Sequence, residues 1–354
     1  MDELNLMLSD METANEFYRP TNFWQSGLSS IIRDIETHGY ERFREHESAH
    51  FFYVPLHSKP TWRNRNRLVS LAIESLGILS KNTASRLRRM LDGRESAYAE
   101  YLLFLAADTN SGLRLNVGES GFGGGERFEF DRKLYSKSFL NYLRGLTFLK
   151  KLTDTDNISS IMEIGGGYGT LGEILLKSRS DGFYLNVDIP PVAAVATRYL
   201  KQVFGDDAVL GYEQSRNMRA IDLDTLRGSY RALVLCPWQL PSVKGSVDMF
   251  ANFISFQEME PAVVANYVSL VQPMVRHAVL LRNSVKGKTM AKQPGEVGVL
   301  EPTTTDDIIR AFDQFRVLGR DSAVFGYESR NGNFRSEVIC MERNQANPPS
   351  QRTL

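Results

Sequence analysis

The stretch from Ile158 to Asp188, ISSIMEIGGGYGTLGEILLKSRSDGFYLNVD, decides the fold of this chain. It reads as an apolar strand, a glycine-rich turn, a helix, and a second apolar strand that ends in an acid. The turn contains four glycines, Gly165, Gly166, Gly167 and Gly169. A strand that turns sharply into a helix needs backbone angles that Cβ disfavours, and bare backbone lets a ligand approach closely. The stretch therefore predicts a nucleoside-binding unit.

Asp188 ends the second strand, about 20 residues after the glycines, where an acid typically accepts hydrogen bonds from ribose hydroxyls. The spacing also permits a dinucleotide, because Gly167, Gly169 and Gly172 match the pattern G-x-G-x-x-G. In dinucleotide enzymes the first glycine follows the strand directly, whereas two further glycines precede the match here. The pattern favours another nucleoside cofactor and leaves an NAD-dependent oxidoreductase as an alternative.

The pattern Glu163-Ile-Gly-Gly-Gly-Tyr-Gly169 resembles the first motif of class I S-adenosylmethionine-dependent methyltransferases. Three other segments resemble the bacterial sugar O-methyltransferase family, namely Asp188-Ile-Pro-Pro191, Ser255-Phe-Gln-Glu-Met259 and the N-terminal Phe23-Trp24. The resemblance implies a Rossmann-like α/β fold whose mostly parallel, seven-stranded sheet closes with an antiparallel hairpin. It also implies methylation of a hydroxyl on a sugar or glycosylated small molecule, with a non-sugar natural product as the alternative acceptor.

The same resemblance implies S-adenosylmethionine as the cofactor and S-adenosylhomocysteine as its product. The residues that match the cofactor-binding segments of the family are Glu163, Gly165, Gly166, Gly167, Tyr168, Gly169, Asp188 and Ile189. Some sugar methyltransferases place two hydroxyls of the acceptor on magnesium, which prefers carboxylate and carbonyl oxygens. No dense acidic cluster in this sequence indicates a metal site, so a divalent metal is left open.

Ligands of open α/β sheets bind beyond the carboxyl ends of the strands, so the residues after each predicted strand are candidates. Pro237, Trp238 and Gln239 follow the strand predicted at 231–236. They are expected to border adenine, the indole by stacking and the amide by a hydrogen bond to its edge. The alternative for Trp238 is a buried ring beneath a proline turn.

Ser255, Gln257 and Glu258 follow the strand predicted at 247–254 and are expected to face the acceptor. Methyl transfer from a sulfonium is an in-line displacement, so alignment supplies most of the acceleration and a base only removes the hydroxyl proton. Glu258 is the predicted base. Its alternative role is that of an acid at the N-terminus of the next helix, where the helix dipole stabilises it.

The strand predicted at 275–282 carries three further candidates. Arg282 and Asn283 stand at its carboxyl end and are expected to orient sugar hydroxyls, a carboxylate or a phosphate of the acceptor. His277 lies within the strand and is the second candidate for a catalytic base. A packed strand histidine is the alternative for His277.

A literal H-E-x-x-H occurs at His46, Glu47 and His50 and is the zinc-peptidase pattern when it lies on a helix. The extended form would need its third ligand where Leu56 stands, and the sequence after His50 looks extended. A zinc peptidase is therefore a distant alternative, and a homologue that binds cofactor without turnover is another.

The chain changes character near Tyr135. Residues 1–134 are predicted to form a mainly helical substrate or cap domain, residues 135–343 the cofactor-binding domain, and residues 344–354 a disordered tail. A helix is predicted at 133–149, and an Asn-Gly turn at 331–332 predicts the closing hairpin. The glycine-rich stretch from Gly121 to Gly125 is a candidate lid over the cofactor.

Composition is that of a globular enzyme, with 354 residues of which 42% are hydrophobic and 24% are charged. Lysine plus arginine equals aspartate plus glutamate at 42 each, so no net field favours nucleic acid or an anionic membrane. The chain has two cysteines and shows no apolar leader, which predicts a cytoplasmic location with reduced thiols. A small-molecule acceptor is the expected partner, and homo-oligomerisation is left open.

Overall fold

The fold is taken from a computed structural model, which describes residues 3–51, 67–80, 82–84, 93–109, 111–322 and 336–344. Its α-helices are α1 (Glu3–Thr13), α2 (Asn22–His38), α3 (Arg67–Leu79), α4 (Arg94–Ala107), α5 (Lys137–Leu152), α6 (Thr170–Ser178), α7 (Pro190–Phe204), α8 (Tyr212–Ser215), α9 (Leu223–Leu226), α10 (Pro261–Val271) and α11 (Thr305–Ala311). Its strands are β1 (Phe128–Phe130), β2 (Lys133–Tyr135), β3 (Ser160–Ile164), β4 (Phe183–Val187), β5 (Val209–Leu210), β6 (Ile221–Asp222), β7 (Ala232–Leu235), β8 (Val243–Lys244), β9 (Val247–Phe253), β10 (Val275–Ser284), β11 (Phe315–Asp321) and β12 (Ser336–Arg343).

One central sheet organises the molecule. It has eight strands in the order β11-β12-β10-β9-β3-β4-β7-β5. β12 runs antiparallel to both of its neighbours, and the other pairings are parallel. The expected α/β fold with a mostly parallel sheet and a closing antiparallel pair is therefore present. The residues of the Asn-Gly turn lie outside the described part of the chain.

The predicted strand count of seven is wrong, because the sheet has an eighth strand at its edge. This strand, β5, has two residues, Val209 and Leu210, and pairs with β7 through Ala232 and Leu233. Strand prediction relies on alternation of apolar and polar residues over at least four positions. Two consecutive apolar residues carry no such signal, so this strand is visible only as a backbone pairing.

Side chains of alternate residues in each strand enter two different cores, because a strand has a period of two. In β3, Ile161 belongs to the core on one face of the sheet, and Met162 belongs to the core on the other. The first core contains apolar residues of α1, α2, α5, α6 and α7. The second contains residues of α10 and α11. Both faces of the sheet are thus covered, as its near-continuous apolar strands predict.

The helices at the beginning of the chain pack on the first of these cores. Leu4 and Met7 of α1, and Ile31 and Ile35 of α2, are buried in the same hydrophobic cluster as residues of α5 to α7. Hydrogen bonds from Tyr212 (2.6 Å) and Arg216 (2.6 Å) to Asp10 tie α1 to α8. These N-terminal helices share a core with the sheet, and the domain boundary between residues 134 and 135 stays a prediction.

The helix predicted at 133–149 begins later than expected. Residues 133–135 form β2, which pairs with β1 across a tight turn. Asp131 and Arg132 occupy that turn with φ of 48° and 61°, as a two-residue hairpin of primed type requires. Such a turn usually has the sequence Asn-Gly or Asp-Gly. The sequence Asp-Arg does not match this pattern, so the hairpin of β1 and β2 was not predicted. Helix α5 follows, with the Ser136 side chain accepting a hydrogen bond from the Phe139 backbone amide.

Among the described residues, no helix is both long enough and apolar enough to cross a membrane.

Candidate functional site

A cavity of about 330 Å³ lies at the carboxyl ends of β3, β4, β7 and β9. Ligand pockets start at about this size, roughly 300 Å³. The predicted site residues that line it are Gly165, Gly166, Gly167, Tyr168, Asp188, Ile189, Pro237, Ser255 and Glu258. Segments that are distant in sequence therefore contribute to one cavity.

The glycine loop forms one wall of the cavity, and its close packing requires glycine. Gly165 has φ of +69°, and an added Cβ would lie within 3.0 Å of the Ser255 side chain. At Gly166, an added Cβ would lie 2.6 Å from the Tyr184 hydroxyl and 2.6 Å from Asn186 Oδ1. Backbone rather than side chain thus faces the cavity, as binding of a cofactor against this loop requires.

Glu163, near the end of β3, packs beneath the glycine loop on the side away from the cavity and does not line the cavity. Its carboxyl group is buried and accepts hydrogen bonds from the Tyr142 hydroxyl (3.0 Å) and the Tyr184 hydroxyl (2.6 Å). Burial raises the pKa of Glu163 to about 7, against the opposing effect of the two tyrosines. Gly169 also lies off the cavity, as the residue that precedes α6. In the structure both residues support the loop, and their contact with a cofactor stays a prediction.

Asp188 stands on the cavity wall beside the loop, as its position after β4 predicts. Its two carboxylate oxygens accept hydrogen bonds from the backbone amides of Gly167 (2.9 Å) and Ile189 (2.8 Å). Burial raises the pKa of Asp188 to about 8, and the two backbone donors act in the opposite direction. The acid therefore links the glycine loop to the end of β4 at the place expected for a ribose.

The turn after β9 brings Ser255 against the glycine loop. Ile254 precedes it with φ of +77°, a conformation that β-branched residues rarely adopt. The Ser255 hydroxyl donates to the Ile164 carbonyl (2.9 Å), and Asn252 Nδ2 donates to the same carbonyl (2.9 Å). A strained residue held by its surroundings at a cavity is typical of functional sites.

Glu258 lies at the other end of this turn and also lines the cavity. Its Oε1 is 2.8 Å from Lys288 Nζ, and its carboxylate also accepts a hydrogen bond from Trp24. Burial raises the pKa of Glu258, while Lys288 and Trp24 oppose this effect. The Thr21 hydroxyl donates to the Glu258 backbone carbonyl (2.8 Å), so the start of α2 is tied to the turn. An ionisable group suited to proton transfer thus faces the cavity.

Two of the residues expected to border adenine have structural roles. Trp238 Nε1 donates to the Tyr212 hydroxyl (3.0 Å), and the two rings meet edge to face. Gln239 accepts from the Cys236 amide (2.9 Å) and donates to Ser215 Oγ (3.1 Å). Neither side chain lines the cavity, whereas Pro237 does. These bonds hold the two side chains within the 3-10 helix at 237–242 and against Tyr212 and Ser215, and their contact with adenine stays a prediction.

Three of the residues expected to bind the acceptor lie behind the cavity instead. Gln257 accepts from the Ser284 amide, and Asn283 Oδ1 accepts from the Gln257 amide (3.2 Å). These bonds join the turn after β9 to the end of β10. Arg282 is 1% exposed within the protein, and burial lowers its pKa to about 10. Gln257 and Asn283 therefore hold adjacent strand ends together, and none of these three residues lines the cavity.

His277 is exposed near the amino end of β10. The cavity lies at the carboxyl ends of the parallel strands, so the length of β10 separates this imidazole from Glu258. Neither the predicted catalytic role nor the packed-ring alternative describes this position.

The H-E-x-x-H segment does not adopt the helix that a zinc peptidase needs. Residues Glu47–Phe51 form a 3-10 helix, and the His46 ring instead packs near the His38 ring, with centroids 5.5 Å apart. The side chain of His50 lies outside what the structure describes. Within the described ranges, no group of three His, Cys, Asp or Glu residues is placed to hold a metal ion.

The candidate lid from Gly121 to Gly125 does not line the cavity but packs behind the glycine loop. The Gly123 carbonyl accepts from the Arg44 amide (3.0 Å), and Glu45 Oε1 accepts from the Gly125 amide (3.1 Å). The ion pair of Arg44 and Glu119, 2.7 Å apart, anchors this region in the interior. These contacts correct the expectation of a lid.

Tyr168 connects this buried region to the cavity that it lines. Its hydroxyl donates to Glu119 Oε1 (3.0 Å), and Arg44 Cζ lies 4.4 Å from the centre of its ring. The glycine loop is therefore supported by a charged pair as well as by Glu163.

Sequence reasoning missed several residues of the cavity wall. They are Arg19, Thr21, Phe23, Trp24, Ser138, Tyr142, Tyr267, Lys288 and Val297, among others. Phe23 and Trp24 carry a family resemblance, and the sequence offers Trp24 either as a flat surface for a sugar ring or as a core residue. Lys288 belongs to a basic loop that fits acceptor binding and solvent exposure equally well. Tyr142 lies on an apolar face of α5, where its aromatic ring matches a simple core position. No local spacing relates these residues to the glycine motif.

Comparisons of the sequence with known protein families and with curated proteins find no match. Among solved structures, magnesium protoporphyrin IX methyltransferase (ChlM) from Synechocystis PCC 6803 with bound SAH is 11% identical, with a TM-score of 0.39 over 71% of this chain and 96% of that one. The mitomycin 7-O-methyltransferase MmcR is 12% identical, with a TM-score of 0.35 over 58% of this chain and 57% of that one. A SAM dependent methyltransferase from Aquifex aeolicus is 11% identical, with a TM-score of 0.35 over 56% and 89%.

This chain thus spans somewhat more than half the length of the mitomycin enzyme, 57%. All three TM-scores are below 0.4.

Proposed function

We propose that this protein is an S-adenosylmethionine-dependent methyltransferase that acts on a hydroxyl of a small molecule. The observation that carries the proposal is that the glycine loop, Asp188 and Glu258 line one cavity. In this proposal the loop and Asp188 bind the nucleoside and amino-acid parts of the cofactor. Glu258 faces the acceptor and removes its hydroxyl proton. When bound, the cofactor supplies an electrophilic methyl group on a sulfonium.

The residues of the cavity fit that cofactor on three grounds. Gly165 and Gly166 leave backbone exposed where any side chain would clash with Ser255 or Tyr184. Asp188 offers carboxylate oxygens next to the loop. A sulfonium is cationic, and the cavity wall carries two acids, Asp188 and Glu258, whose ionised forms a nearby cation favours.

The chain contributes alignment and a base. The Ser255 turn is fixed against the loop by hydrogen bonds, so a ligand between them is held in a defined position. Glu258 accepts the proton of the acceptor hydroxyl as the new O–C bond forms. The apolar rings that share this cavity exclude water from the reacting atoms.

We propose a sugar or a glycosylated small molecule as the acceptor. Phe23 and Trp24 line the cavity with Glu258, and flat aromatic faces suit the apolar face of a sugar ring. Trp24 also hydrogen-bonds to Glu258, which places an aromatic surface next to the base. A non-sugar acceptor with a planar ring is the second candidate, because the same aromatic surface accommodates it.

Calorimetric titration with S-adenosylmethionine, S-adenosylhomocysteine and NAD tests the cofactor. The titrations are run at about pH 7 and about pH 9, because burial raises the pKa of Asp188 to about 8. We expect binding of the first two ligands and about 10- to 100-fold weaker binding by Asp188→Ala, since hydrogen bonds to a charged group contribute about 1.5–3 kcal/mol. Asp207→Ala is the matched control, because Asp207 is exposed and does not line the cavity.

Transfer of labelled methyl from the cofactor to a panel of sugars and phenols then tests the reaction. Glu258→Gln should retain cofactor binding and lose turnover. Binding of NAD alone, or of none of the three ligands, would contradict the proposal. Binding of S-adenosylmethionine without transfer to any acceptor would favour the non-catalytic alternative.

A further inference from the structure

Lys288 is a buried cation next to the predicted base. It lies in the segment that follows β10, and its Nζ is 2.8 Å from Glu258 Oε1. The side chains of Lys288 and Glu258 are 15% and 7% exposed, and both residues line the cavity. The pair therefore stands at the reacting end of the cavity rather than on the protein surface.

The rest of the structure fixes Lys288 in this position. Its Nζ lies 4.0 Å from the centre of the Phe23 ring, within the range of a cation–π interaction. The neighbouring Asn22 donates to the Gly298 carbonyl (2.8 Å) and accepts from the Gly295 amide (2.7 Å). The start of α2 and the segment after β10 are thus bound to each other on both sides of the ion pair.

We propose that Lys288 is a positioning residue of the reaction, which keeps Glu258 ionised and aimed at the acceptor hydroxyl. The inference rests on the proposed function, because it assigns Lys288 a task only if Glu258 acts as the base. Lys288 itself transfers no proton in this scheme.

The physical reason is the low exposure of the carboxylate. Burial penalises the charged form of a carboxyl group, and a cation within hydrogen-bonding distance opposes that penalty. The neutral indole of Trp24 provides a hydrogen bond to Glu258 but no charge. Without Lys288, the carboxyl group would ionise only at higher pH, so a smaller fraction of it would be the carboxylate that accepts the acceptor proton.

The other ionisable groups around the site do not replace Lys288. Asp188, from the end of β4, is an acid and acts against ionisation of Glu258. Tyr267 of α10 lines the cavity as a phenol, and burial and the charge of Asp188 raise its pKa. The Arg19 guanidinium donates to the backbone carbonyls of Glu12 and Ala14, both at 2.7 Å.

The proton and electron balance is complete with Glu258 as the acceptor of the proton. An oxygen lone pair of the acceptor forms the O–C bond, and the electrons of the broken S–C bond stay on sulfur. The acceptor proton passes to the Glu258 carboxylate, which becomes a carboxylic acid. Loss of the sulfonium charge is thus matched by neutralisation of the carboxylate, and Lys288 takes no part in the proton transfer.

The test compares Lys288→Met and Lys288→Arg in the wild-type and Glu258→Gln backgrounds. In the pH profile of methyl transfer, the pH at which kcat falls on the acid side should be higher in Lys288→Met than in wild type, by about one pH unit or more. Lys288→Arg, which keeps the cation, should leave this acid limb close to its wild-type position. Lys288→Gln is the second neutral variant if the methionine variant does not fold.

A second readout, the pH dependence of stability to urea, does not depend on activity. Lys288→Met raises the pKa of Glu258 in the folded protein further above its unfolded value. Relative to wild type, the variant should therefore lose stability as pH rises above the pKa of Glu258 in the wild-type protein. Lys288→Met in the Glu258→Gln background should show no such loss, because the titrating carboxyl group is absent.

An unshifted acid limb in Lys288→Met, or an equal pH-dependent loss of stability in the Glu258→Gln background, would overturn the inference. Suppose that the wild-type protein transfers methyl to no acceptor while the stability differences appear as expected. The proposed function then fails, whereas the conclusion that Lys288 stabilises the ionised form of Glu258 is supported. The two failures are therefore distinguishable.

Discussion

The buried ion pair of Arg44 and Glu119 offers a quantitative test of how the N-terminal part of the chain supports the glycine loop. The two side chains are both 0% exposed, and their charged atoms are 2.7 Å apart. Arg44 also lies 4.4 Å from the centre of the Tyr168 ring, and Tyr168 lines the cavity. The perturbation is Arg44→Met, which removes the cation and keeps an unbranched side chain.

The expected loss follows from what remains around Glu119. Removing one partner of a buried pair costs about 3–5 kcal/mol, because the other charge is left buried. Glu119 keeps hydrogen bonds from the Tyr168 hydroxyl (3.0 Å) and the Ser136 amide (2.7 Å), each worth about 1 kcal/mol. These bonds persist in the variant, so we expect a loss near the lower limit, about 3 kcal/mol.

The assay is urea unfolding of Arg44→Met alone and combined with Glu119→Gln. The second substitution removes the uncompensated charge, so the double variant should recover more than half of the loss. The matched control is Arg42→Met, which breaks a surface pair with Glu45 whose side chains are 73% and 37% exposed and should cost less than about 1 kcal/mol. The reasoning would be refuted if Arg44→Met lowered the free energy of unfolding no more than Arg42→Met does. It would also be refuted if adding Glu119→Gln restored none of the lost free energy of unfolding.

Two further predictions concern the support of the loop. Gly172→Ala should cost about 1–3 kcal/mol in urea unfolding, because the new Cβ would lie within 3.0 Å of the Tyr184 ring, whereas Gly121→Ala, which meets nothing within 4 Å, is the control and should be near neutral. Burial raises the pKa of Glu163 to about 7, so its stabilising contribution is complete below its unfolded pKa of about 4.3 and is lost as pH rises through 7. Wild-type stability should therefore fall with pH over that range more steeply than that of Glu163→Gln, and equal slopes would contradict the role of this carboxyl group.

The half of the cavity that we propose binds the cofactor was predictable because one continuous stretch of sequence builds it. A strand, a glycine turn and a helix must follow each other closely, and the second strand of a parallel pair must end beside the first. Gly165, Gly166 and Gly167 line the cavity together with Asp188 for this reason. Local spacing was a sufficient guide wherever local backbone geometry decides the contact.

The half of the cavity that we propose binds the acceptor was predicted only in part. Ser255 and Glu258 line the cavity as expected, but Gln257, which lies between them, points to the end of β10. A 3-10 turn changes side-chain direction at each residue, so position after a strand does not determine which residue faces the ligand. The turn after β7 is also a 3-10 helix, and there Pro237 lines the cavity whereas Trp238 and Gln239 do not.

The sequence alone determined the strand-turn-helix unit, the mostly parallel sheet and the closing antiparallel pair, because each depends on short-range periodicity and turn chemistry. Only the tertiary structure decided that Lys288 faces Glu258 and that Trp24 reaches the same carboxylate from α2. It alone also decided that Arg44 supports the glycine loop from behind. These contacts join residues far apart in the chain, and their geometry is set by how the helices pack on the sheet, for which a single sequence contains no local signal.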